Sequence, residues 1–290
     1  MMVTHLPHFY LIRRATLTLV VLAMVSAGCA GDTEGQPYAV TSTVVSHETT
    51  GQITVLEPDA DGTWPVVYLL HGIGGTRQDM EHLGSSVAEQ GNLVVTIDWD
   101  ARQDTDAILL DLACSYNYGQ SIAREHGGDP DRAVAVAYSA STIYALIAGT
   151  LREPDVGGRA PQPCEIVDGD LTPTDHPARS PDVLVLIAPC LFEYQGQLFT
   201  VEPSGGNTDL QITIVSAEDD TTCEPWQQRE AVELLSQAGY DTTLVSVPDA
   251  DHLGIVYRGE VEGEPITDPD SAGGQRTTEA ILDAIDAAPW

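Results

Sequence analysis

The chain has 290 residues, 42% of them hydrophobic, enough for one sizeable core. Its 12 basic residues, all arginine, stand against 44 acids and leave a formal net charge of −32. Such a surface repels phosphate backbones and anionic lipid, so nucleic-acid partners and electrostatic membrane binding are disfavoured, and the charge itself serves solubility.

The first segment differs from the rest. Arg13 and Arg14 precede the apolar run "ATLTLVVLAMVSA", which is short for a membrane span and reads as the core of an export signal over residues 1–29. "SAGC", Ser26 to Cys29, resembles a bacterial lipobox with serine where leucine is usual. Cys29 is therefore the candidate lipidated residue, with a plain cleaved signal and an uncleaved anchor as the alternatives. Localisation is expected to be extracellular or at the cell surface, with membrane contact only through such an anchor. Residues 30–38 form a polar tether, and residues 39–290 form one domain.

Within that domain strands and helices alternate. "TSTVVS" and "QITVLEP" predict two short strands around the turn-rich "HETTG", and "WPVVYLLHG" and "NLVVTIDW" are apolar runs of buried-strand type on either side of a helical stretch. A long helix over "DTDAILLDLACSYNYGQSIAREHGG" leads to the strand in "DPDRAVAVAY" and a further helix. A segment rich in Pro, Gly and Asp follows from Arg152 to Pro181, either a small lid or a surface loop. The strands "DVLVLIAP", "LQITIVSA" and "DTTLVSVP" and two more helices complete the chain. The pattern predicts an α/β class with a mostly parallel central sheet flanked by helices on both faces.

The stretch "AVAVAYSAS" runs from a strand into a helix and carries two serines. A nucleophile elbow needs small residues two before and two after its serine, and Ala137 and Ser141 bracket Ser139 in that way. The competing reading makes Ser139 an ordinary helix N-cap. Ser141 falls in the first helical turn and is the weaker nucleophile candidate.

A serine nucleophile also needs a base, an acid to orient the base, and donors for the oxyanion. "HGIGG" ends a buried strand, so backbone N–H groups of Ile73 or Gly74, with that of Ala140, are candidates for the oxyanion hole. "SAEDDTTCEPWQ" places acids just past the end of a later strand, where α/β sheets put their ligands. Of the 8 histidines, only His252, in "PDADHLG", follows those acids, and it is the candidate base.

These motifs, "HGIGG", "GGDPDRAVAVAYSAS", "SAEDDTTCEPWQ" and "PDADHLG", occur in the order found in α/β-hydrolases, and the chain from about Ala39 onward resembles secreted esterases and dienelactone hydrolases of that superfamily. The resemblance implies a catalytic set of Ser139, Asp220 and His252, with Asp219 as the alternative acid. It implies ester hydrolysis through an acyl-enzyme, with a peptidase or amidase of the same fold, or a non-catalytic surface binding protein, as the other readings. Ala137 and Ser141 depart from the two elbow glycines, and Ile73 departs within the oxyanion loop.

Apart from Cys29, four cysteines remain, which in an exported chain suggests two disulfides. Cys190 and Cys223 follow strands expected to be neighbours, so Cys190–Cys223 and hence Cys114–Cys164 is the expected pairing. No metal-ligand spacing or nucleotide loop is present, so no cofactor and no metal is expected. A small-molecule ester is the expected partner and a monomer the expected state. Trp99, Phe192, Tyr194, Phe199 and Trp226 are candidates for an apolar acyl pocket, under a rim of Asp98, Asp100, Glu193 and Glu224 with Arg102 the nearby cation.

Overall fold

The computed structural model describes residues 36–47, 51–99, 105–150, 164–167, 170–173, 181–190, 209–262 and 264–290. The export signal, Cys29, most of Arg152 to Pro181, and the pocket candidates Phe192, Tyr194, Phe199, Asp100, Glu193 and Arg102 lie outside these residues. So do the side chains of Cys114 and Cys164.

In chain order the elements are β1 (Val40–His47), β2 (Gly51–Pro58), β3 (Trp64–Leu70), α1 (Glu81–Ala88), β4 (Leu93–Ile97), α2 (Thr105–Glu125), β5 (Gly128–Tyr138) and α3 (Ser141–Thr150). Then come β6 (Cys164–Val167), β7 (Asp170–Pro173), β8 (Val183–Ile187), β9 (Gln211–Ala217), α4 (Pro225–Gln237), β10 (Asp241–Val247), β11 (Arg258–Val261), β12 (Glu264–Thr267) and α5 (Ala272–Asp286). Eight strands form one sheet in the order β1-β2-β4-β3-β5-β8-β9-β10. The pairs β1/β2 and β2/β4 are antiparallel, and every other pair in that sheet is parallel. The strands β6 and β7, and β11 and β12, form two small antiparallel ribbons.

The apolar runs explain the sheet. β4 and β8 are buried along their whole length, as strands covered on both faces must be. In β5 the residues alternate by size: Val134, Val136 and Tyr138 point to the layer containing Leu83 and Val87 of α1 and Ile281 and Ile285 of α5. Ala135 and Ala137 face the opposite layer, with Ile143 and Leu146 of α3 and Leu235 of α4. The small alanine side chains let α3 lie close to the strand that precedes it. The "DPDR" at the start of β5 also has a role: Arg132 pairs with Asp129 at 3.0 Å and donates to the Thr63 carbonyl at 2.7 Å, fixing the strand's entry beside β3.

Candidate active site

At the end of β5 the chain turns sharply into α3, and Ser139 sits on the turn with φ of 57°, in the left-handed region that a non-glycine residue seldom enters. Its N–H donates to the Ile187 carbonyl of β8 at 2.9 Å, which holds the turn against the neighbouring strand. The loop after β3 comes close: a Cβ on Gly72 would lie 3.1 Å from Ser139 Cβ and from the Tyr138 ring, a tight fit for any larger residue. The Ser139 hydroxyl meets the imidazole of His252.

Ser141 is buried and does other work. Its Oγ accepts from Tyr138 N–H at 3.0 Å and lies 3.2 Å from the Leu70 carbonyl and 2.9 Å from the Tyr138 carbonyl. The hydroxyl thus joins the end of β3 to the end of β5, directly behind the strained residue.

His252 lies in the loop after β10, a loop turned by Asp249 at φ of 57° and closed by Asp251, whose Oδ1 accepts from Leu253 and Gly254 N–H. Its Nε2 is 2.9 Å from Ser139 Oγ, and its Nδ1 is 2.7 Å from Asp220 Oδ2. The other carboxylate oxygen, Oδ1, accepts from Thr222 N–H at 2.7 Å and Cys223 N–H at 2.9 Å. Asp220 is buried, whereas Asp219 is exposed and contributes its N–H to the Ala250 carbonyl. Of the two candidate acids, then, it is Asp220 that meets the imidazole.

The tyrosine before Ser139 joins the elbow to the histidine loop. The Tyr138 hydroxyl donates to the His252 carbonyl at 2.6 Å, and its ring lies against the imidazole with centroids 5.1 Å apart. Burial pushes the phenol well above its ordinary range, so it stays protonated and a donor. Sequence reasoning missed this contact because its acceptor is a backbone carbonyl far along the chain.

The glycine-rich loop after β3 is braced by a buried histidine. His71 Nδ1–H donates to the Gly72 carbonyl at 2.8 Å, Nε2 accepts from Trp99 N–H at 3.2 Å, and the indole N–H of Trp99 returns a bond to the His71 carbonyl at 2.8 Å. The two rings stack at 5.5 Å. Burial lowers the His71 pKa, against the opposing pull of the Gly72 carbonyl and Asp98, so the ring is held neutral and can accept at Nε2. Gly75 N–H closes a turn onto the Gly72 carbonyl and Gly74 takes a φ of 73°, which leaves Ile73 and Gly74 between them as the loop's candidate donors. Ile73 is exposed, its side chain standing out from the loop. Beyond it, Arg77 is buried with its backbone N–H on Asp98 and its guanidinium on Thr54, Glu81 and Gln52, anchoring the loop's far end.

Trp99 is buried between His71 and Tyr144, and its indole serves the brace. Asp98 is committed in part to Arg77 and does not stand as a free rim charge. Trp226, at the start of α4, is exposed.

Cys190 and Cys223 form a disulfide, with Cα atoms 4.9 Å apart, as their strands' adjacency predicts. Asp220, Cys223 and His252 bring one donor atom each within 4.8 Å of one another, but the Cys223 sulfur is taken by Cys190, so this is not an open metal-binding set. Among the described residues no helix is long and apolar enough to cross a membrane.

No family model and no curated protein sequence matches the chain. Solved structures do. An esterase of Thermogutta terrifontis with butyrate bound superposes with a TM-score of 0.59 at 16% identity, covering 83% of this chain and 92% of that one. An esterase of Pyrobaculum calidifontis gives 0.59 at 17% identity over 87% and 86% of the two chains. A protein of Klebsiella pneumoniae described as a dienelactone hydrolase gives 0.58 at 16% identity over 86% and 99%. The likeness is one of architecture: this chain has the α/β-hydrolase fold, as the order of its sequence motifs predicts.

Proposed function

We propose that the protein is a serine hydrolase that cleaves carboxylic esters through an acyl-enzyme. The observation that carries this reading is the continuous hydrogen-bonded line from Ser139 Oγ through His252 to Asp220, 2.9 and 2.7 Å long, starting from a strained residue on an elbow. In this reading His252 Nε2 takes the hydroxyl proton as Ser139 Oγ bonds to the ester carbonyl carbon. Asp220 keeps the Nδ1–H tautomer and stabilises the imidazolium. The carbonyl oxygen becomes an oxyanion, for which the N–H groups of Ile73 or Gly74 and of Ala140 are the proposed donors. His252 then returns the proton to the leaving alkoxide, and the acyl group stays on Ser139. A water deprotonated by His252 attacks that acyl carbon and releases the acid.

The structural neighbours support esters as the substrate class, since two of those compared are esterases. The Thermogutta terrifontis esterase is phosphorylated by paraoxon, a reaction of the kind expected here at Ser139. Export, with Cys29 as a lipid anchor, belongs to the same proposal. The Cys190–Cys223 disulfide supports an oxidising compartment, where such bonds persist.

A fluorophosphonate probe tests the reading, because only an activated serine reacts with it. Labelling of the full chain, lost in Ser139→Ala, is the expected result. A full-length, folded protein that takes no label and hydrolyses neither p-nitrophenyl esters nor matched amides refutes it.

A further inference from the structure

We propose that the Cys190–Cys223 disulfide is a positioning device for the Asp220 carboxylate, so that hydrolysis runs at full rate only while that bond is closed; this rests on the reading of Ser139, His252 and Asp220 above. The argument begins with one short turn. Asp220 Oδ1 accepts from Thr222 N–H at 2.7 Å and from Cys223 N–H at 2.9 Å, so both backbone donors that hold the carboxylate come from residues within three of it. A turn this small keeps its shape only if its far end is fixed. That end is Cys223, which is fully buried and bonded to Cys190 with Cα atoms 4.9 Å apart. From the other side, Gln228 of α4 donates to the Cys223 carbonyl at 2.5 Å.

The bond joins two strand ends that pairing leaves apart. The register between β8 and β9 ends at Ile187 and Val215, with one more bond from Ala188 N–H to the Val215 carbonyl. Beyond it β8 leaves the sheet toward Cys190, while β9 stays paired with β10 as far as Ala217 and then runs through Glu218 to Asp220. The disulfide closes this gap directly behind the acid: the Cys223 sulfur, an Asp220 oxygen and a His252 ring nitrogen lie within 4.8 Å of one another. A bond so placed constrains the carboxylate itself as well as the fold at large.

The chemistry is a reversible two-electron exchange. A dithiol delivers two electrons and two protons to the sulfurs, giving two cysteine thiols, and closes to its own cyclic disulfide; reoxidation reverses this. With the bond open, the turn is free to move and Oδ2 loses its fixed place on His252 Nδ1. The imidazolium formed during attack is then less stabilised, so kcat falls. Substrate binding is not routed through the turn, so KM changes little.

The test is Cys190→Ala with Cys223→Ala in one full-length chain, assayed on a neutral p-nitrophenyl ester. The expected result is kcat lower by about 10- to 100-fold, the range a misplacement of about an ångström produces, with KM within about threefold of wild type. Ser139 still takes a fluorophosphonate label, more slowly. Wild-type kcat and labelling rate in a variant shown by mapping to lack the bond would overturn the proposal. Should the double variant fail to fold, wild-type protein is reduced stepwise with dithiothreitol while non-reducing peptide maps follow the Cys190–Cys223 linkage. Activity that falls with that linkage and returns on reoxidation supports the clamp; full activity with the linkage gone refutes it. A wild type that takes no label sinks the hydrolase reading instead, so the two failures are distinct.

Discussion

The phenol of Tyr138 donates to the backbone carbonyl of His252 at 2.6 Å, which ties the residue before Ser139 to the loop that carries the imidazole. Tyr138→Phe removes that bond while leaving the ring against the imidazole. Since the carbonyl belongs to the loop and not to substrate, kcat should fall by about fivefold with KM nearly unchanged, as expected when one neutral hydrogen bond of about 1 kcal/mol stops orienting the loop. Steady-state kinetics on a p-nitrophenyl ester checks it, and an unchanged kcat means that the ring contact alone holds the loop.

The two serines of the elbow should separate cleanly. Ser139→Ala is expected to lower kcat by several orders of magnitude with the thermal transition intact, as loss of a serine nucleophile does elsewhere. Ser141→Ala should do the reverse. It leaves the buried Tyr138 N–H and Leu70 carbonyl without their partner, a loss of about 1–3 kcal/mol in denaturant stability, while the folded fraction still takes a fluorophosphonate label. The opposite pattern in the two variants would exchange their roles.

Asp219 and Asp220 are adjacent and chemically alike, yet only Asp220 reaches the imidazole. Asp220→Asn is expected to cut kcat by about 10⁴-fold, the cost of presenting the wrong tautomer, and Asp219→Asn to leave kcat within about twofold. The comparison needs only matched kinetics on the two variants.

His71 predicts an acid-side loss of stability. Burial holds its folded-state pKa below the ordinary histidine value of 6.5, so on acidification the unfolded chain takes up the proton first. The sign follows: this contribution is full above about pH 6.5 and declines as pH falls toward the folded value. Urea midpoints at neutral pH and near pH 5.5 should therefore fall further for wild type than for His71→Asn, which keeps a donor for the Gly72 carbonyl. Equal slopes in the two proteins would remove His71 from the acid response.

The net charge of −32 should show in substrate choice. Neutral short or medium-chain esters are expected to be turned over better than their carboxylate-bearing analogues at low ionic strength. That gap should narrow as salt shortens the screening length to about 10 Å at 0.1 M. Values of kcat/KM at two ionic strengths decide it. An anion preferred at low salt would place a local cation at the site and overturn the expectation.

Much of this arrangement was legible in the residues. The apolar runs of β3, β4 and β8 could only be strands covered on both faces, and the order of "HGIGG", "AYSAS", "SAEDD" and "PDADHLG" matched the order in which strand ends reach the site. His252 followed by elimination. What could not be read was anything carried by a backbone atom of a distant segment: the bond from Tyr138 to the His252 carbonyl, and the bonds of Ser141 to the ends of β3 and β5. The stacking of Trp99 on His71 was hidden for a related reason, since both its bonds to His71 involve a backbone atom. The choice between Asp219 and Asp220 turned on which side of one turn faces inward, a matter of backbone rotation that composition does not record.

Ser139 and His252 are 113 residues apart, with Asp220 between them 32 residues before His252, each standing at the end of a different strand of one sheet. No fragment that stops before β10 contains His252, and no partly assembled sheet brings the three together. On the proposed function, turnover in a sample therefore counts molecules whose long-range pairings, from the middle of the sheet to its last strand, have all closed. Refolding followed by recovered activity would time the slowest of those closures, whereas a signal from the helices alone could appear earlier, because local contacts form before distant ones.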